Sequence, residues 1–201
     1  MKIAVATKNA HKVKELSRLM NIDGIEFVSL SELGFEGDIE ENGFTFEENA
    51  LIKARFVCKK YNLPAISDDS GLCVDALSGE PGIYSARYAS TDGGNSDDRA
   101  NIDKLLFNLK DVPEEKRTAR FVCAMALCLP SGAELTVTGK CEGRITNGIS
   151  GDGGFGYDPV FFSFDAGKTF GEATDEEKNR VSHRANATKL MSEKITELFI
   201  K

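Results

Sequence analysis

Short apolar runs alternate along the chain with stretches whose apolar positions recur every three or four residues. Ile3-Ala4-Val5-Ala6 marks a buried strand over residues 2–6, which breaks into a loop at Thr7-Lys8-Asn9. Residues 12–20 then carry Val13, Leu16, Leu19 and Met20 at helical spacing, and residues 25–30 make a second strand. Thr45 and Glu48 have capping-box spacing. The helix they open holds Ala50, Leu51, Ala54, Val57 and Cys58 on one side and ends near Tyr61-Asn62, because Pro64 follows. Ala65-Ile66-Ser67 predicts a short strand that terminates in Asp68-Asp69-Ser70-Gly71, and Pro81-Gly82 marks a turn.

Asn95 or Ser96 is expected to cap a helix running to about Leu109. Residues 117–129 and 134–146 alternate as two long strands, joined as a hairpin by Pro130-Ser131-Gly132. A glycine-rich segment, 148–156, leads into a strand at Pro159-Val160-Phe161-Phe162. Thr174 and Glu177 repeat the capping-box spacing, and a last helix from about Ser182 presents Ala187, Leu190, Met191, Ile195 and Leu198. Strands and helices alternate in the first half and a long hairpin fills the middle, so the fold class is α/β around a mixed sheet. The pattern does not fix the strand order. No internal repeat or long linker divides the 201 residues, which suits one domain or two closely joined lobes.

Composition narrows the function classes. At 41% apolar and 28% charged, the chain has the balance of a soluble globular protein. Its net charge of -7 gives no basic footprint for a nucleic-acid backbone, so no nucleic acid is expected as a partner; a small phosphorylated ligand held by local lysines and arginines remains open. Five cysteines (Cys58, Cys73, Cys123, Cys128 and Cys141) form no C-x-x-C pair and sit among apolar neighbours. They read as small buried hydrophobes in a reducing compartment. The N-terminal run is too short for a signal peptide and nothing approaches a membrane span, so a cytoplasmic setting without membrane attachment is expected.

Two familiar motifs fail on context. Gly151, Gly153 and Gly156 spell G-x-G-x-x-G, but Tyr157-Asp158-Pro159 and a β-rich run follow where a dinucleotide fold needs a helix. Gly167-Lys168-Thr169 resembles the end of a phosphate-binding loop, yet its partner glycine should stand where Phe162 does.

Four polar stations remain at the ends of expected strands or the starts of helices. At Thr7-Lys8-Asn9-Ala10-His11-Lys12 a strand runs into a helix, so free N–H groups, hydroxyl and amide donors and two lysines favour an anion; a plain helix cap with solvated lysines fits equally. Glu40-Glu41, with Lys53 on the following helix, is solvated surface unless a partner is found. Asp68-Asp69-Ser70 is the strongest station. Adjacent carboxylates after an apolar strand repel one another unless a cation compensates, and carboxylates with few other ligands suit Mg²⁺. The fourth combines Gly154-Phe155-Gly156-Tyr157-Asp158 with Ser182-His183-Arg184. There backbone approaches closely, Phe155 or Tyr157 could stack on a base, and His183 and Arg184 could donate to it; alone, a core aromatic and a simple cap explain it as well. Together the stations are what a nucleoside triphosphate with Mg²⁺ requires.

Along nearly its whole length the chain also resembles the inosine/xanthosine triphosphate pyrophosphatases. The likeness rests on residues 7–12, Thr45-Phe46-Glu47-Glu48-Asn49-Ala50 with Lys53, Ser67-Asp68-Asp69-Ser70-Gly71-Leu72 and Pro81-Gly82-Ile83-Tyr84-Ser85-Ala86-Arg87. It continues through Gly154-Phe155-Gly156-Tyr157-Asp158-Pro159 and Glu177-Lys178 to Ser182-His183-Arg184. The resemblance implies a single two-lobed domain over residues 1–201, with a long mixed β-sheet flanked by helices and an active-site cleft between the lobes. It also implies a homodimer, Mg²⁺, and hydrolysis of ITP, dITP and XTP to monophosphate and pyrophosphate.

Carried over, Thr7, Lys8, Asn9, Ala10, His11, Lys12 and Lys53 form the triphosphate cradle, and Ser70 touches phosphate. Glu41, chosen over Glu40, and Asp69 hold the metal, with Asp69 also the base and Asp68 supporting it. Phe155, Gly156, Tyr157, Asp158, Lys178, His183 and Arg184 form the nucleoside pocket. An arginine offers only donors, so Arg184 or His183 facing purine C6 would favour the oxygen of hypoxanthine or xanthine over the amino group of adenine. Competing readings are the Maf-like pyrophosphatases, which the residues 154–158 and 182–184 disfavour, and a non-catalytic nucleotide sensor, which would not need the Asp68-Asp69 pair.

Overall fold

The structure, a computed structural model, describes residues 1–8, 13, 16, 19–20 and 22–199. Seven strands form one mixed sheet in the order β2-β1-β3-β4-β5-β6-β7. They are β1 (Lys2–Val5), β2 (Glu26–Ser29), β3 (Ala65–Val74), β4 (Thr118–Cys128), β5 (Glu134–Ile145), β6 (Phe161–Ser163) and β7 (Lys168–Thr169). The α-helices with described bounds are α1 (Phe46–Tyr61), α2 (Asp98–Asn108), α3 (Asp175–Val181) and α4 (His183–Phe199), and short 3-10 turns lie between the elements. β1 pairs in parallel with both β2 and β3, whereas β5, β6 and β7 pair antiparallel. The chain forms two compact units, one of residues 1–69, 123–139 and 185–201 and the other of residues 70–122 and 140–184.

In the first unit the period-2 alternation of the strands sorts residues onto two faces. Ile3, Val5, Ile66, Cys123, Met125 and Leu127 pack with Ala187, Met191 and Ile195 of α4, and with Leu16 and Met20. The alternate positions Ala4, Ala6, Ala65, Ala126 and Cys128 pack with Ala50, Ala54, Val57 and Cys58 of α1. The α1 face of the sheet is thus almost all alanine, which lets helix backbone approach closely. α1 itself follows from its caps: Thr45 accepts from the Glu48 N–H, Glu48 returns the bond, and Asn62 takes the left-handed conformation at φ 52.

The second unit has a more aromatic core. Phe121, Phe161 and Phe170 pack with Leu72, Val74, Ile102, Leu105 and Leu109. Arg117 is buried at 5% exposure because its guanidinium donates to the carbonyls of Leu109, Val112 and Thr146, closing the end of α2.

Most expected elements are present, and the departures have local reasons. The strand expected to stop at Ser67 continues to Val74, carrying Asp68, Asp69 and Ser70 inside it. Turn chemistry lost to pairing there because the acids have partners, described below. α2 is capped by Asp97, which accepts from the N–H groups of Arg99 and Ala100, not by Asn95 or Ser96. The strand expected from Pro159 begins at Phe161, after one tight turn over Asp158–Val160. Of the apolar residues assigned to the last helix, Leu190 and Leu198 are exposed and Thr188 is buried beside Met125 instead. The helix expected over residues 12–20 lies largely outside the described residues; Val13, Leu16 and Leu19 are helical. No α-helix follows the glycine triplet 151–156, so the dinucleotide motif is excluded as expected. All five cysteines are free thiols, and only Cys73 is not buried.

Candidate active site

The first unit gathers its charge around one lysine. Lys53 projects from the buried side of α1, four residues after Asn49. Its ammonium lies 2.9 Å from Glu41 Oε2 and 3.7 Å from Asp69 Oδ1. Burial alone would draw the Lys53 pKa down, but the charges of Asp69, Glu41 and Asp68 outweigh it and hold the ammonium above its ordinary value. Asp68, wholly buried, receives the Cys123 thiol at 4.0 Å. Asp69 Oδ2 accepts the Asn49 side-chain amide at 3.1 Å. The strand can therefore carry Asp69 because an ammonium and an amide meet it from α1, while Asp68 meets the Cys123 thiol. The ion pair reaches Glu41, and Glu40 and Glu41 are both exposed.

Of the phosphate cradle, Thr7 and Lys8 are described. Thr7 is half-buried at the end of β1, and Lys8 is exposed with its ammonium 2.8 Å from Asp38. Asn9, Ala10, His11 and Lys12 lie outside the described residues.

The Glu41 and Asp69 carboxylates around one ammonium leave a net negative charge, which a divalent cation fits. Among the described residues no three Asp, Glu, His or Cys side chains converge into a closed cage. Mg²⁺, the ion expected from the sequence, takes one or two carboxylates and completes its shell with water and phosphate oxygens. Glu41 and Asp69 are the residues that would hold it.

The second unit assembles the aromatic station. Phe155 is exposed at 40%, with the Lys178 ammonium 4.6 Å and the Arg184 guanidinium 5.9 Å from its ring centroid. Tyr157 is instead a core residue whose hydroxyl donates to the Ser85 carbonyl at 2.8 Å. Of the two rings Phe155 is thus the exposed one, and Tyr157 anchors its loop. Asp158 is buried, accepts the Phe155 N–H at 2.8 Å and lies 2.5 Å from the Lys178 ammonium. Burial pushes the Asp158 carboxyl upward, opposed by Lys178, the Phe155 N–H and Arg184. Gly154, at φ +75, passes so close to Asp158 that any Cβ would collide with the carboxylate. Gly156 donates its N–H to Asp98 at the start of α2.

His183 and Arg184 begin α4 and are both buried. The His183 ring stacks on Phe121 at 4.8 Å between centroids and 16° between planes. Arg184 donates to Ser70 Oγ at 3.1 Å, so two residues expected at opposite ends of the nucleotide, base and phosphate, are bonded to each other. Sequence reasoning assigned Asn49 no role. The available signal was its spacing of four from Lys53, which places both on one side of α1.

The pattern of the Ham1 family matches residues 3–194. A dITP/XTP pyrophosphatase of Bacillus subtilis is 50% identical over 188 residues, covering 94% of this chain and 93% of its own. One of Salmonella paratyphi A is 48% identical over 192 residues, covering 94% and 95%. Among solved structures, the Staphylococcus aureus Ham1 protein superposes with a TM-score of 0.88 at 38% identity, covering 98% of this chain and 100% of that one. A nucleoside-triphosphatase, dITP/XTP pyrophosphatase, of Mycobacterium abscessus gives 0.78 at 45% identity, covering 95% and 97%. Matched across nearly its full length in sequence and in fold, the chain belongs to the Ham1 family.

Proposed function

We propose that this protein is a nucleoside triphosphate pyrophosphatase that hydrolyses dITP, ITP and XTP to the monophosphate and pyrophosphate, with Mg²⁺ as its ion. The observation that carries the reading is the cluster in which the Glu41 and Asp69 carboxylates meet the buried Lys53 ammonium. The full-length relatives that bear the name dITP/XTP pyrophosphatase support it.

In the reaction, water oxygen bonds to the α-phosphorus while the bond from that phosphorus to the bridging oxygen of the β-phosphate breaks. Asp69 orients the water and accepts its proton, and pyrophosphate leaves with the electron pair. Lys53, with Thr7 and Lys8, offsets the charge that grows on the leaving group. Phosphoryl transfer depends mainly on such positioning and charge neutralisation. When bound at Glu41 and Asp69, Mg²⁺ supplies further positive charge to the phosphate oxygens and makes a water more acidic. Phe155 offers a face to the purine. Arg184 and Lys178 present only donors, which suits an oxygen at C6 and leaves an adenine amino group unmatched. A homodimer in the cytoplasm belongs to the same reading, and sedimentation tests the assembly.

Incubation with dITP and Mg²⁺ should release pyrophosphate and dIMP. Orthophosphate as the sole product would mean cleavage at the outer phosphate and a different enzyme. Asp69→Asn, nearly isosteric, should lower kcat by about 10²-fold or more while the protein stays folded. Near-normal turnover would remove Asp69 as the base.

A further inference from the structure

Asn49 is 2% exposed, and both ends of its side chain are engaged. The amide nitrogen donates to Asp69 Oδ2 at 3.1 Å, and the amide oxygen accepts the Gly43 N–H at 2.8 Å. The orientation is forced, because an ionised carboxylate only accepts and a backbone N–H only donates. Gly43 leaves no slack. A Cβ there would lie 2.7 Å from Glu48 Cβ and 2.8 Å from Asn49 Oδ1. The loop that carries Glu41 therefore approaches α1 at a distance only glycine permits, and one side chain ties that loop to Asp69.

We propose that Asn49 is a positioning residue for hydrolysis, holding the Asp69 carboxylate in its productive orientation and the Glu41 loop in register with it. The proposal rests on the reading of Asp69 as the group that orients water. With Oδ2 held by Asn49 and Oδ1 facing Lys53 at 3.7 Å, the carboxylate plane is fixed at two points. Removal of the amide takes away one of those two points. It also leaves the Gly43 N–H without its acceptor.

Two substitutions separate positioning from simple loop-tying. Asn49→Ala removes both bonds. Asn49→Asp keeps an acceptor for Gly43 but sets a like charge against Asp69. Both should lower kcat for dITP by roughly 10- to 100-fold with KM within about twofold, the range seen when a supporting hydrogen bond is lost. Mn²⁺ binding without nucleotide, read from the electron paramagnetic resonance of the free ion, should weaken by about tenfold in Asn49→Ala. Wild-type kcat in Asn49→Asp would overturn the proposal by showing that only the Gly43 bond matters. So would unchanged kcat in Asn49→Ala, or a change confined to KM. If the alanine variant does not fold, the aspartate variant decides. Asp69→Asn run alongside keeps the two ideas apart: an active Asp69→Asn ends the underlying reading, whereas an inactive one beside a fully active Asn49→Ala ends only the role of Asn49.

Discussion

Lys53 does two jobs that pull in the same direction. Without nucleotide it is the counter-charge to Glu41 and Asp69, and in the proposed reaction it offsets the leaving group. Exposed ion pairs contribute roughly 0–1 kcal/mol, and breaking a fully buried one costs about 3–5 kcal/mol. Here the lysine side chain is 8% exposed but Glu41 is 35% exposed, so the cost belongs between those limits. Lys53→Met should destabilise the metal-free protein by about 2 kcal/mol. Because the folded pKa of Lys53 is raised, its stabilisation is fully present below 10.5 and is lost only as pH climbs through the higher folded value, so the neutral range sees all of it. Millimolar Mg²⁺ should then raise the melting temperature of Lys53→Met more than that of the wild type, since the cation takes over the missing charge. Equal shifts in calorimetry would mean that the ammonium and the ion do not share these carboxylates.

The helices and long strands were legible because each depends on signals close in sequence. Both capping boxes, at Thr45 with Glu48 and at Thr174 with Glu177, form as spacing predicts. The hairpin of β4 and β5 follows from alternation and its Pro130-Ser131-Gly132 turn. What failed to show were features decided by remote partners. Asp68-Asp69-Ser70-Gly71 has the composition of a turn, but it lies in a strand between β1 and β4, with Asn49 and Lys53 of α1 meeting Asp69. The two-residue β7 has no sequence signature of its own. At the start of α2, Asn95, Ser96 and Asp97 can all serve as caps, so local chemistry could not choose among them. One capping group also makes α3 pH-sensitive. Hydrogen bonds from Lys168 and then the Thr174 N–H hold Glu177 down at about 2, from an ordinary value of 4.5. Its stabilisation is present above pH 4.5 and is lost as pH falls through about 2. The wild-type melting temperature should therefore fall more steeply across that interval than that of Glu177→Gln, whose amide cannot titrate. Parallel curves would show that Glu177 contributes nothing to acid stability.

For the molecule as a whole, residue types at the site could be read from the chain, but their companions could not. Phe155 and Lys178 are neighbours, whereas Ser70 and Arg184, 114 positions apart, form a bond that no local pattern announces. Tyr157, a plausible stacking ring by type, is spent on the core because its hydroxyl finds the Ser85 carbonyl. The route of the chain also bears on stability. β3, β4 and β5 each pass from one unit's residues to the other's within a single strand, so neither core can lose its strands without releasing residues of the other. One cooperative transition is the consequence. Leu105→Ala, at a fully buried position among Leu72, Val74 and Phe121, removes packing only from the second unit, at a cost of about 2–5 kcal/mol. Urea unfolding of that variant, followed by amide exchange at β1 in the first unit and at α2 in the second, should show both midpoints falling together. If the second unit unfolded at lower urea while β1 stayed protected, the shared strands would not be coupling the two cores.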